Sequence, residues 1–198
     1  NAITQAVDPK TREPNPRFLS VDCVVERVLG PIDDAFAEHA GPLVFEFPPL
    51  RRRELPEPRA FADRLGEFFA KLPRQLSYAV ELRNPELLSH GYLEVLAQHG
   101  VGHVLNFWQR MPDIGAQLDV PGVLTAPFVV SRLLIPPGQS YEDRKRSLAP
   151  FDRVARRRAG FLRRLARSRF RGRARSPPRC ASSTGRDCRV RSNRARRC

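Results

Sequence analysis

Four short apolar runs, each followed by a stretch of helical periodicity, recur along the first 150 residues. That alternation limits what this chain can fold into more than any other feature. The runs are Leu43-Val-Phe-Glu-Phe47, closed by Pro48-Pro49, then Tyr78-Ala-Val-Glu-Leu82, His103-Val-Leu-Asn-Phe107 and Phe128-Val-Val-Ser-Arg-Leu-Leu134. They start near residues 43, 77, 102 and 127, a repeat of about 25–34 residues. Between them the spacing predicts helices. Ser20 caps one that carries Val21, Val24, Val25, Val28, Leu29, Ile32 and Phe36, with a kink at Pro31 and a stop at Gly41. Pro58 opens a second, with Phe61, Leu65, Phe68, Phe69 and Leu72 on one face and Pro73 at its end. Asn84 caps a third that carries Leu87, Leu88, Tyr92, Val95 and Leu96 and stops at Gly100. Met111 to Leu118 is expected to be a loop or one short helical turn, and Ser140-x-x-Asp143 opens a final helix. Strands that alternate with helices pair in parallel, because each helix carries the chain back to the same end of the sheet. The expected fold class is therefore α/β, a partial TIM (β/α)8 barrel of about four βα units. A doubly wound sheet would alternate too, but it needs no polar residue at each strand end.

Strand parity locates a candidate site. Side chains alternate between two faces, so Tyr78, Val80 and Leu82 share one while Ala79, Glu81 and Arg83 share the other. The same division sets Leu43, Phe45 and Phe47 against Val44 and Glu46. It sets His103, Leu105 and Phe107 against Val104, Asn106 and Trp108, and Val129 and Leu133 against Phe128, Val130 and Arg132. The apolar face suits surrounding helices. The other face starts small and turns polar toward the C-terminal end of each strand, where a barrel gathers its loops and its chemistry. The plainer reading is that these are ordinary ion pairs, with Glu81 and Arg132 neutralising each other.

If the site is catalytic, Glu81 is the general acid/base candidate, since a carboxylate at a partly buried mouth can be tuned toward neutral pH. Glu46, Arg83, Asn106, Trp108 and Arg132 are the substrate-binding candidates. The arginines would hold an anionic group, Asn106 would hydrogen-bond, and Trp108 would give a flat wall. The ligand expected is a small anionic molecule, and hydrolysis of a phosphate ester is the reaction first in line for testing. Neither a phosphate-binding glycine loop nor a nucleophile elbow is present, and the sequence names no cofactor. His39, His90, His99 and His103 show no metal-ligand spacing and read as packing or surface residues, so no metal is expected.

Charge divides the chain. The net charge is +14, but residues 151–198 hold 18 arginines, no lysine and only Asp152 and Asp187, a net of +16. Residues 1–150 are left with 17 basic and 19 acidic residues, a net of −2. Any nucleic-acid binding is expected through this tail alone. The chain divides accordingly into 1–154, the barrel segment, and 155–198, an arginine-rich tail expected to be disordered beyond Ser168. Its composition suits an out-of-frame reading of GC-rich coding sequence from about Val154. The rival is a native basic arm, with Val154, Phe161, Leu162 and Leu165 on one side of a helical turn or two. Cys23 is the one cysteine before Cys180, Cys188 and Cys198, which fits a reducing cytoplasm, and no apolar run approaches a membrane span. The opening from Asp8 to Pro16 reads as a loop cut from a longer protein.

The segments Gly41-Pro-Leu-Val-Phe-Glu-Phe-Pro-Pro49, Tyr78-Ala-Val-Glu-Leu-Arg-Asn84, His103-Val-Leu-Asn-Phe-Trp108 and Phe128-Val-Val-Ser-Arg-Leu133 come in an order that resembles the YecE-like family, domain of unknown function 72. The resemblance covers roughly residues 1–154, implies a TIM barrel, and would make these runs its fourth to seventh strands. The chain departs from the family pattern at Glu46, where glutamine is usual, and at Asn84, where histidine is usual. It also departs at Arg132-Leu-Leu-Ile135, where the family has Arg-Leu-His-Gly. The resemblance implies a fold and carries no activity with it.

Overall fold

The computed structural model describes residues 3–35, 37–108, 110–133, 140–150 and Arg163. Phe36, Leu134 and nearly all of the basic tail lie outside the described residues. Four strands, β1 (Leu43–Glu46), β2 (Tyr78–Glu81), β3 (Gly102–Phe107) and β4 (Val130–Leu133), form one sheet in the order β1-β2-β3-β4. All three pairings are parallel, with Glu46 beside Glu81, Ala79 beside Gly102 and Asn106 beside Arg132.

The sheet curls. In a flat sheet three strand spacings would hold β1 and β4 roughly 14 Å apart, with their side chains standing parallel. Instead Nη1 of Arg132 on β4 lies 2.7 Å from Oε2 of Glu46 on β1. The outer strands face each other across a concave surface, and the fold is an α/β half-barrel. The floor of that surface is small and tightly filled. Ala79 and Gly102 lie side by side on it, and a Cβ at Gly102 would sit 2.8 Å from the Phe128 ring.

The convex face is the core. Phe45, Phe47, Tyr78, Val80, Leu82 and Leu105 are buried there with Phe61, Leu65, Phe68 and Phe69 of α3 (Pro58–Ala70) and Tyr92, Leu93 and Leu96 of α4 (His90–His99). Phe45 meets Phe68 and Phe69 edge-on at centroid distances of 5.3 and 5.7 Å. Each large apolar side chain so buried contributes about 1.5–3 kcal/mol. Gly100 ends α4 in the left-handed region at φ +66°, as its position in the sequence predicts.

Four local expectations are corrected. The helix after Ser20 is not simply kinked. It runs as α1 (Val21–Val24), a π-helical stretch Val25–Leu29 and α2 (Gly30–Ala35), with the Gly30 N–H bonded to the Val25 carbonyl. Pro31 brings no N–H and crowds the carbonyl four residues back, and a widened turn just before it accommodates both. Asn84 caps no long helix. Only a 3-10 turn follows it (Pro85–Leu87), and α4 begins afresh with the Ser89 hydroxyl accepting from the Tyr92 N–H at 3.2 Å. The Asn84 amide is engaged elsewhere, with the Leu50 N–H donating to its Oδ1 at 2.7 Å and its Nδ2 donating to the Leu50 carbonyl at 3.2 Å. Within Met111–Leu118, α5 (Ile114–Asp119) is a true helix, capped by Asp113. The fourth strand is shorter than its apolar run, since Phe128 and Val129 precede it. The last helix, α6 (Tyr141–Leu148), starts where expected, with the Ser140 hydroxyl accepting from the Asp143 N–H. Among the described residues no helix is long and apolar enough to cross a membrane.

Candidate functional site

Each of the six residues singled out by parity sits at the C-terminal end of its strand or just past it, and the curl brings all six together. Glu46 closes β1, Glu81 closes β2 with Arg83 two residues on, Asn106 and Trp108 end β3, and Arg132 lies on β4. They form a connected cluster. Arg83 stacks its guanidinium on the Trp108 ring, 3.9 Å from the centroid. Its Nη2 reaches Glu46 Oε2 at 2.7 Å, and its Nε lies 3.6 Å from Glu81 Oε1. Arg132 Nη1 pairs with the same Glu46 oxygen and with Glu81 Oε2. Asn106 Nδ2 donates to Glu81 Oε1 at 3.3 Å and to the Leu82 carbonyl at 2.7 Å.

The cluster is graded from wet to dry. Glu46 and Arg132 side chains are each 35% exposed, Arg83 is 13% exposed and Glu81 is fully buried. Two carboxylates and two guanidiniums balance, so the ion pairing that the plainer reading anticipated between Glu81 and Arg132 is present. The hydrogen bond to Glu46, and then the field of Glu81, push the Arg132 pKa above its ordinary value against the cost of burial. Two buried polar atoms in the cluster, Arg83 Nε and Asn106 Oδ1, have no hydrogen-bond partner among the described residues. Both atoms are closed off from solvent, so their bonding capacity is unused among the described residues.

Two supporting residues were missed at the sequence level. Gln117 of α5 is fully buried against the end of β3. Its Nε2 donates to the carbonyls of Asn106 at 2.8 Å and Pro112 at 2.6 Å, and its Oε1 accepts from the Asn106 N–H at 3.3 Å. It therefore fixes the backbone that carries Asn106. Asn84, through its two bonds to Leu50, ties the loop after β1 to the loop after β2 beside Arg83. The only sequence signal for Gln117 is an amide next to Leu118 in a segment whose helix was itself uncertain.

The histidines take the packing and surface roles expected. His103 is buried on the convex face with its Nδ1 3.0 Å from the Tyr92 hydroxyl, and burial lowers its pKa to about 4. His90 lies on the surface 3.3 Å from Glu94. Among the described residues no group of three or more His, Cys, Asp or Glu side chains is placed to hold a metal ion.

Fold and site together define a class: an α/β protein whose parallel sheet curls into half a barrel and gathers a charge-balanced polar cluster at the C-terminal ends of its strands. The chain belongs to the family described as "Protein of unknown function DUF72", whose model matches residues 6–172. The match runs past Val154 into the basic segment. No curated protein and no solved structure matches the chain.

Proposed function

We propose that the half-barrel is part of a TIM barrel and that its polar mouth binds a small ligand bearing an anionic group. The observation that carries this reading is the delivery of Glu46, Glu81, Arg83, Asn106, Trp108 and Arg132 to one concave end by all four strands. The convergence joins residues up to 86 positions apart and takes the Glu81 carboxylate fully out of water, a desolvation that ion pairing offsets only where the geometry is good. The arginines supply the anion contacts, Asn106 a hydrogen bond, Trp108 a wall, and Glu81 a proton acceptor or donor. Hydrolysis of a phosphate monoester is the reaction this set suits. In a test with small phosphate monoesters, turnover by the full chain should fall roughly 100- to 10,000-fold in Glu81→Gln, with near-ultraviolet circular dichroism checking the fold. Equal turnover by a folded Glu81→Gln protein would remove Glu81 from the chemistry.

A second reading rests on charge alone. With a net of +16 in residues 151–198, the basic segment from about residue 155 would bind nucleic-acid phosphates with little sequence preference. Binding should weaken steeply with salt, and a synthetic 155–198 peptide should reproduce it. A full chain that binds duplex or single-stranded nucleic acid while the peptide does not would place that activity elsewhere.

A further inference from the structure

We infer that the Glu46 carboxylate is a built-in stand-in for the ligand's oxyanion, occupying the fork between Arg83 and Arg132 until a phosphate or carboxylate group displaces it. The inference rests on the anionic-ligand reading above and adds which of the site's own residues the ligand must replace.

A single oxygen carries the argument. Glu46 Oε2 lies 2.7 Å from Arg83 Nη2 and 2.7 Å from Arg132 Nη1, so two guanidiniums converge on one point from different strands. Both distances are those of charge-assisted hydrogen bonds, and the point is where an oxygen of a bound phosphate or carboxylate would accept the same two bonds. The other carboxylate cannot leave. Glu81 is fully buried, holds Arg132 through its second oxygen and takes a further bond from Asn106. Glu46 differs on each count. It is the last residue of β1, its side chain is 35% exposed, and its contacts in the cluster are the two guanidiniums.

The carboxylate also has somewhere to go. A groove of about 390 Å³ runs beside β1, its wall mostly apolar, with Thr4, Gln5 and Glu46 itself as the polar lining. Turned into it, Glu46 would meet water and the polar side chains of Thr4 and Gln5 in a lining that is otherwise apolar. Charge supports the exchange. With Glu46 in the fork the two carboxylates and two guanidiniums sum to zero, and with it turned out the rest sum to +1, which favours an anionic group. A wild-type site of this kind binds oxyanions weakly, because each must first displace an anion at very high local concentration.

The test uses the full chain and its single tryptophan, Trp108, whose ring stacks under Arg83 and whose fluorescence reports the mouth. Methyl phosphate and acetate are titrated separately onto the wild type, Glu46→Gln and Glu46→Ala. The inference expects both variants to bind at least one probe about tenfold or more tighter than the wild type, and the stronger probe identifies the oxyanion. Affinity unchanged or weakened in both variants, with saturable binding still seen in the wild type, overturns the stand-in role and leaves the anionic-ligand reading intact. A lack of saturable change with either probe in all three proteins overturns both.

Discussion

Strand β3 carries a buried polar group at each end, and the two ends are built to opposite plans. At its N-terminal end, on the convex face, the His103 imidazole meets the Tyr92 hydroxyl. The Thr125 hydroxyl accepts from the His103 N–H at 2.9 Å and donates to the Val101 carbonyl at 2.6 Å. That cluster is neutral and shut off from solvent, with His103, Tyr92 and Thr125 all at most 8% exposed and the His103 Nε2 buried without a hydrogen-bond partner among the described residues. At the C-terminal end, on the concave face, Asn106 joins four charged side chains drawn from three other strand ends and open to solvent through Glu46 and Arg132. Neutral polar groups sealed among apolar side chains stabilise one arrangement of the chain and present nothing to a partner. The exposed charges of the mouth, Glu46 and Arg132, stabilise little through their own pairing, and that pairing leaves contacts that an incoming ion can take over. The difference separates scaffold from candidate site.

The largest effect should come from exchanging the two faces. Val80→Asp places an unpaired carboxylate in the fully buried convex core and should cost on the order of 4 kcal/mol or more. Val44→Asp, at a position 38% exposed on the concave side of β1, should cost less than about 1 kcal/mol. Thermal melts of the two variants decide this, and a Val80→Asp protein as stable as its parent would break the assignment of the faces.

Acid should separate the two ends next. Burial holds His103 neutral, with a pKa of about 4 against an ordinary 6.5. As pH falls, the unfolded chain takes up this proton first, so the folded state loses ground between pH 6.5 and about 4 and is unaffected by this group above that window. The loss amounts to about 3 kcal/mol, and it should vanish from the pH–stability profile of His103→Gln. Parallel profiles for the two proteins would mean that the imidazole is not sealed in.

Smaller effects sharpen the contrast. Thr125→Val keeps the side-chain shape but strands the His103 N–H and the Val101 carbonyl, for a loss of about 1–3 kcal/mol with no change at the mouth. Arg110→Gln removes an ion pair to Glu86 in which both side chains are more than 40% exposed, and it should cost under about 1 kcal/mol in urea unfolding.

The charged end was the more legible of the two. Alternation along Tyr78–Arg83 and Val104–Trp108 depends only on neighbours in sequence, so the side on which Glu81, Arg83, Asn106 and Trp108 fall could be read before any strand was paired. The periodicity of α3 and the stop at Gly100 were legible for the same reason. What supports the site was not. Gln117 and Asn84 act through backbone groups 11 and 34 residues away, and no local pattern encodes which carbonyl an amide will meet. Asn84 before Pro85 has the look of a helix cap, and only the loop carrying Leu50 diverts it. Pro31 pointed to a kink, and the chain instead widens the turn before it. Thr125 stands in a Gly/Pro-rich loop where a hydroxyl signals nothing until β3 lies beneath it. The depth at which Glu81 lies was not legible either, since parity gives a face and not a burial. A buried counter-charge for Arg132 cannot be replaced by glutamine without loss of stability, whatever its role in chemistry.

The most direct test of the concave mouth as a ligand site follows Trp108 fluorescence while inorganic phosphate is titrated onto the full chain, its Arg132→Gln variant and Thr125→Val. The arrangement predicts a saturable change in the wild type and in Thr125→Val, and none in a folded Arg132→Gln protein. A saturable change that persists in a folded Arg132→Gln protein would contradict it.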